Sequence, residues 1–191
     1  VGPNVWNNWK AGLLRELYWR AQEVLSGGAP EERQVERVER AKAHLRARLA
    51  DWPRAEIETH LDRGQPAYWL GVNTETLVRH ANVIRAAESR DEPFLIEARD
   101  DPHRGVCEVT VYAPDHPGLF ANIAGALAMA QASIVDAKIN TLTNGMALDT
   151  LAILLGDGGG PARALDQKRL RKRIADAIQG KVRPARALAE R

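Results

Sequence analysis

Near Pro93 the apolar residues of this chain stop recurring at three- and four-residue steps and begin to alternate. A helix turns the same face inward about every 3.6 residues and a strand every second residue, so the change marks a switch from helices to a sheet. Before it, Val5, Trp6, Trp9, Leu13, Leu14, Leu17, Tyr18, Ala21, Val24 and Leu25 make a broad apolar face that predicts a helix over residues 4–25. Ser-Gly-Gly-Ala-Pro at 26–30 ends it and starts another. Residues 31–52 carry a narrow stripe of Val35, Val38, Ala41, Leu45, Leu49 and Trp52 among dense Glu and Arg, the pattern of an exposed helix lying on a surface. Pro53 opens a short helix with Ile57 and Leu61 inward, and Gly64-Gln65-Pro66 breaks the pattern. Asn73 or Thr74 caps a further helix carrying Leu77, Val78, Ala81, Ile84 and Ala87.

After the switch, residues 94–99 and 106–113 alternate on either side of turn residues 100–105 and read as a hairpin. Residues 114–118 are a tight loop, and 119–130 an Ala-rich helix with Leu119, Phe120, Ile123, Leu127 and Ala130 inward. Residues 133–142 alternate as a strand, Asn144-Gly145 is a strong hairpin signal, and 146–155 return. Residues 156–161 are a flexible break before a basic helix over 165–179, with Leu170, Ile174, Ala177 and Ile178 inward. The expected fold is α+β, a helical segment followed by a ferredoxin-like βαββα domain with an added N-terminal strand. Two helices would cover one face of its sheet. A ferredoxin-like sheet ordinarily ends in a fourth strand beside the first. Residues 181–191 hold one β-branched residue and a Pro and do not alternate, so residues 94–99 are expected in that slot, antiparallel to 106–113. The expected divisions are 1–91 (helical), 92–180 (sheet domain) and 181–191 (basic tail).

The 191 residues allow one or two domains, and no apolar run approaches the roughly 18 residues of a membrane span. A single cysteine, Cys107, excludes a disulfide scaffold and a multi-cysteine zinc site and fits a reducing compartment. The opening Val1-Gly2-Pro3-Asn4 has neither Met nor a signal-like stretch, which reads as a piece of a longer protein with its catalytic residues elsewhere. The net charge of +2 conceals a segregation: residues 1–99 balance, 100–160 carry −5 and 161–191 carry +7. The basic end lacks interleaved aromatics, so it reads as a solvated helix face beside an acidic domain, with no nucleic-acid partner expected.

None of His44, His60, His80, His103 and His116 is followed by Asp, so the chain has no His-Asp metal doublet. Gly156-Asp-Gly-Gly-Gly160 is not followed by Gly-Lys-Ser/Thr and reads as a linker. Cys107 sits on a strand beside Glu108 with no motif base in sequence and reads as a structural thiol, and His80 reads as a surface or packing residue. No catalytic residue and no metal ligand is assigned. The candidate ligand contact is the loop of Asp115, His116, Pro117, Gly118 and Leu119, because a helix N-terminus favours a carboxylate. Asp115 would either hold an ammonium group or cap the helix.

Val-Thr-Val-Tyr-Ala-Pro-Asp-His-Pro-Gly-Leu-Phe at 109–120, Ile-Ala-Gly-Ala-Leu at 123–127, Ile-Val-Asp-Ala-Lys-Ile at 134–139 and Asn-Gly-Met-Ala-Leu-Asp-Thr at 144–150 resemble an ACT domain, a small module that commonly senses amino acids. Gly-Pro-Asn-Val-Trp-Asn-Asn-Trp-Lys at 2–10 and Leu-Leu-Arg-Glu-Leu-Tyr at 13–18 are similar to the end of the HD hydrolase domain of the bifunctional enzymes that uridylylate and deuridylylate the nitrogen-regulatory PII protein. The ACT stretch is similar to the first of two ACT domains in that family. The resemblance implies a cytoplasmic parent of nitrogen metabolism. A nucleotidyltransferase domain would move UMP from UTP to PII when glutamine is scarce, and the HD domain would remove it when glutamine is plentiful. It implies Mg²⁺ or Mn²⁺ in the parent and no cofactor in this segment, which would itself be non-catalytic. It also implies glutamine as ligand, at Asp115, His116, Gly118 and Leu119 with Ser133, Ile134 and Val135, at an ACT–ACT interface, intramolecular or homodimeric. Ser133 stands where amino-acid-binding ACT domains often carry Asn. The other reading is an ACT–ACT interaction module that binds no ligand itself.

Overall fold

A computed structural model describes residues 30–155 and 164–182, with Leu14, Leu17, Tyr18, Ala21 and Pro184. The helix expected over 4–25 lies outside these residues apart from the four named, which are helical and exposed, and so does the break at 156–161. Among the described residues from Pro30 onward, four helices precede the sheet: α1 (Pro30–Arg48), α2 (Arg54–Leu61), α3 (Pro66–Gly71) and α4 (Thr74–Ser89). Then follow β1 (Leu95–Asp101), β2 (Val106–Pro114), α5 (Leu119–Met129), β3 (Ala132–Lys138), β4 (Met146–Leu155) and α6 (Ala164–Ile178).

The stripe buries Val38 and Leu45 on α1 and Leu49 just after it but leaves Val35 exposed. Asn73 caps α4, its side chain accepting the N–H of Thr76 at 2.9 Å. The stretch read as a break after Gly64 contains a short helix instead. Pro66 stands in its first turn, where the missing N–H costs nothing, and Tyr68 and Trp69 are buried on it. Gly64 is required there: a Cβ would lie 2.6 Å from both the Trp69 and Tyr68 rings. Trp69 returns the contact by donating its indole N–H to the Gly64 carbonyl at 2.8 Å.

The four strands form one antiparallel sheet in the order β1-β2-β4-β3. β1 pairs with β2 from Leu95 opposite Tyr112 to Asp101 opposite Val106, so the added strand occupies the slot beside the first ferredoxin-like strand. Alternation sends Cys107, Val109, Val111 and Ala113 of β2 to one face, where Leu119, Ile123 and Leu127 of α5 and Leu170 and Ile174 of α6 close a core. Phe120, expected inward, is 40% exposed, because it leads off the first turn one position away from the inner row. Beyond α6, Pro184 packs on Gly125 of α5, where an added Cβ would stand 2.4 Å from the Pro184 Cβ.

The opposite face is covered too, which the strand and helix order alone does not imply. Tyr112 and Leu148 point into a second core with Leu45, Leu61, Trp69, Leu77 and Ile84 of the helical segment. His80 crosses that interface fully buried. Its Nδ1 lies 3.2 Å from the Tyr68 hydroxyl and its Nε2 2.8 Å from the Thr150 hydroxyl on β4. The neutral imidazole satisfies both contacts, one ring nitrogen donating and the other accepting. Arg79 adds an ion pair to Glu108 of β2 on the same face.

Burial, with the charge of Arg79 behind it, pushes the His80 pKa down to about 3, and burial, with Arg63, pushes that of His60 down to about 4. Both are neutral in the fold, whereas the unfolded chain takes up protons below about 6.5. Their contribution is therefore present above pH 6.5 and lost as pH falls from there toward 4. Urea unfolding at pH 7.5 and 5.0 should show each histidine removing about 2 kcal/mol between the two conditions. A His80→Gln chain should lose correspondingly less. An equal drop in that variant would place the acid sensitivity elsewhere.

Candidate functional site

The loop from β2 to α5 is built by Gly118. Its φ is +90°, a left-handed conformation that glycine adopts without strain, and it stands as the N-cap of α5 without a side chain to cap the first turn. Asp115 does not cap the helix. It is exposed, its N–H donates to the Gly145 carbonyl at 3.0 Å, and its Oδ2 accepts the Thr141 hydroxyl at 2.5 Å. His116 is exposed, with Nδ1 3.0 Å from the Pro117 carbonyl oxygen, and its own carbonyl accepts the Leu119 N–H at 3.1 Å. Leu119 is buried beneath the loop. An exposed carboxylate therefore sits beside an uncapped helix N-terminus, a pairing able to meet an ammonium and a carboxylate on one small molecule.

Ser133 is exposed, and Ile134 and Val135 are half-buried. Val135 is the extra residue of a bulge, since Ile134 faces Ile153 and Asp136 faces Ala152. The register sets these residues at the opposite end of the sheet from the Asp115 loop. β2 and β3 are both antiparallel to β4 and so parallel to each other, with α5 returning the chain between them. Pro114 lies opposite Met146 and Ser133 opposite Leu154, eight positions along β4 or roughly 26 Å. Within one chain the two groups cannot line one amino-acid-sized pocket. They can meet only across two copies of the domain.

The sequence reading passed over Asp149. It lies on β4 in phase with Ala147, Leu151 and Ile153, pointing under α5, and is 1% exposed. Its Oδ1 accepts the Asn140 N–H at 3.3 Å. Burial pushes its pKa up to about 6, the charge of Asp115 adds to the rise, and the Asn140 N–H opposes it. A carboxylate at an inward phase of an alternating strand was the signal available.

His60 was also unassigned. It is buried, with neither ring nitrogen hydrogen-bonded to a protein group, below a cleft of about 530 Å³ between α2 and α4. Arg85 lies over Trp52 at 4.4 Å on its rim and pairs with Glu56 at 3.0 Å, and Arg63 pairs with Glu88 at 2.8 Å. Cys107 is buried and burial pushes its thiol up to about 11, which fits a structural thiol.

No family model matches the chain. Bifunctional uridylyltransferase/uridylyl-removing enzymes do: those of Azospirillum brasilense, Rhodospirillum rubrum and Rhodopseudomonas palustris are 46%, 43% and 41% identical to it, over 100%, 98% and 100% of its length. The chain belongs to this family as a segment. It spans about a fifth of the length of these curated relatives, 21%, 20% and 21% respectively. Because the matches run along the whole chain, the helical segment and the sheet are both shared with the uridylyltransferase/uridylyl-removing enzymes.

The position of Asp149 yields a pH signature. Its carboxyl holds a proton more firmly folded than unfolded, so its effect on stability is least adverse below about 3.8 and worsens as pH rises to about 6. Asp149→Asn keeps the acceptor for Asn140 and removes the charge. It should be near neutral at pH 4 and stabilising by about 2–3 kcal/mol at pH 7.5, read by urea unfolding at both. The same difference at both pH values would show that Asp149 is not destabilised by ionisation.

Proposed function

We propose that this chain is the regulatory, glutamine-sensing part of an enzyme that uridylylates and deuridylylates the PII protein. The observation that carries the reading is its similarity, along its whole length, to enzymes named for uridylyl transfer and removal. The chain supplies no His-Asp doublet and no phosphate loop, so both catalytic centres, with their Mg²⁺ or Mn²⁺, are assigned to the rest of the enzyme. The chain acts as sensor in a cytoplasmic protein. No helix among the described residues is long and apolar enough to cross a membrane.

Glutamine is assigned to the Asp115 loop of an ACT domain. Its α-ammonium meets the Asp115 carboxylate, and its α-carboxylate meets the first-turn amides of α5 behind Gly118. The register places Ser133, Ile134 and Val135 at the far end of the same sheet, so their contribution comes from a paired ACT domain. The same separation favours the second reading, a module that only pairs.

Calorimetry of glutamine with the intact enzyme separates the two. Asp115→Ala should weaken the response about tenfold, the size of one charge-assisted contact of roughly 1.4 kcal/mol. An unchanged glutamine response would leave pairing as the function. The chain by itself, given uridylylated PII and Mn²⁺ or Mg²⁺, should release no UMP, and release would locate a hydrolytic centre within it.

A further inference from the structure

The connection from β3 to β4, residues 139–145, touches the Asp115 loop on one side and the helical segment on the other. Toward the loop, the Thr141 hydroxyl donates to Asp115 Oδ2 at 2.5 Å, and the Gly145 carbonyl accepts the Asp115 N–H at 3.0 Å. Toward the helices, the Thr141 carbonyl accepts Gln65 Nε2 at 3.3 Å. Thr143 donates its N–H to the Arg63 carbonyl at 2.9 Å and its hydroxyl to the Asp62 carbonyl at 3.2 Å. Thr141 therefore holds Asp115 by its side chain and Gln65 by its backbone.

The connection is braced. Leu142 is buried in the helical core, its N–H donates to the Met146 carbonyl at 2.8 Å and its carbonyl accepts the Gly145 N–H at 3.0 Å, while Thr141 bridges to Ala147. A rigid loop carries a displacement that a slack one would absorb. Residues 62–65 join α2 to α3, and Arg63 reaches Glu88 of α4, so three helices meet where the connection lands.

We propose that residues 139–145 are a strap that conveys the state of Asp115 to the junction of α2, α3 and α4, with Thr141 as its positioning residue. The regulatory use of the strap rests on the reading of Asp115 as a ligand contact. A cation drawn to the Asp115 carboxylate competes with the Thr141 hydroxyl for it. Release of that hydroxyl changes how Thr141 presents its carbonyl to Gln65. A ligand shifts the helices only by such a difference between the two arrangements.

Backbone amide NMR on the full chain tests the strap without any ligand. Asp115→Asn should move the amide resonances of Arg63 and Gln65. The same substitution made in a Thr141→Val background should leave them unmoved, and in Thr141→Ser, which keeps the hydroxyl, should move them again. Arg63 and Gln65 resonances that ignore Asp115→Asn, or that respond equally in the Thr141→Val background, would overturn the strap. Glutamine is then added to the unsubstituted chain. Shifts at residues 115–119 that reach Arg63 and Gln65 support the regulatory use, and shifts confined to 115–119 refute it while leaving the ligand reading intact. No shift at 115–119 refutes the ligand reading and with it the regulatory use, and the substitution series still decides the strap.

Discussion

Strands β2 and β4 pair along eight residues, and both faces of that pair are roofed by helices. Alternation divides β2 between two cores, with Val109 and Val111 facing α5 and α6, and Thr110 and Tyr112 facing α4 and its neighbours. A slip of one residue would turn Val109 and Val111 toward His80, and Tyr112 and Glu108 into the aliphatic core under α5. Polar groups meet across the helical side as well, Thr150 with His80 and Glu108 with Arg79. The register of the sheet and the seating of the helical segment are consequently one decision.

Much of this was legible in the residues. The period change near Pro93, the Asn144-Gly145 turn and the alternation of 146–155 place the strands, because each is a local signal that burial on both faces of the sheet reinforces. Helix α3 was illegible for the opposite reason. Gly, Gln and Pro in succession are turn chemistry, and only the burial of Tyr68 and Trp69 against α4 and the Gly64 backbone makes six residues helical. His80 read as surface or packing, and its role emerges only once Thr150, seventy residues away, lies beside it.

The candidate site divides along the same line. The left-handed Gly118 and the open start of α5 follow from Pro117-Gly118 before an apolar helical row. The partner of Asp115 does not, since Thr141 reaches it from the far side of the sheet connection. The relation of Ser133, Ile134 and Val135 to that loop is a matter of strand direction. Resemblance names such residues together, whereas the crossover through α5 sets them at opposite ends.

Only residues 90–94 separate α4 from β1, and β1 is the edge strand that fills the fourth slot. The helical segment is thus tied to the sheet through a strand whose seven residues lie antiparallel along β2. A pull on the helices along the chain would reach the sheet as a load on that ladder. If the pull runs parallel to the strands, all of the β1–β2 hydrogen bonds share it. If it runs across them, they open one at a time from Leu95, the end nearest the helices. The arrangement makes the sheet mechanically stiff to one direction of helical motion and compliant to the other.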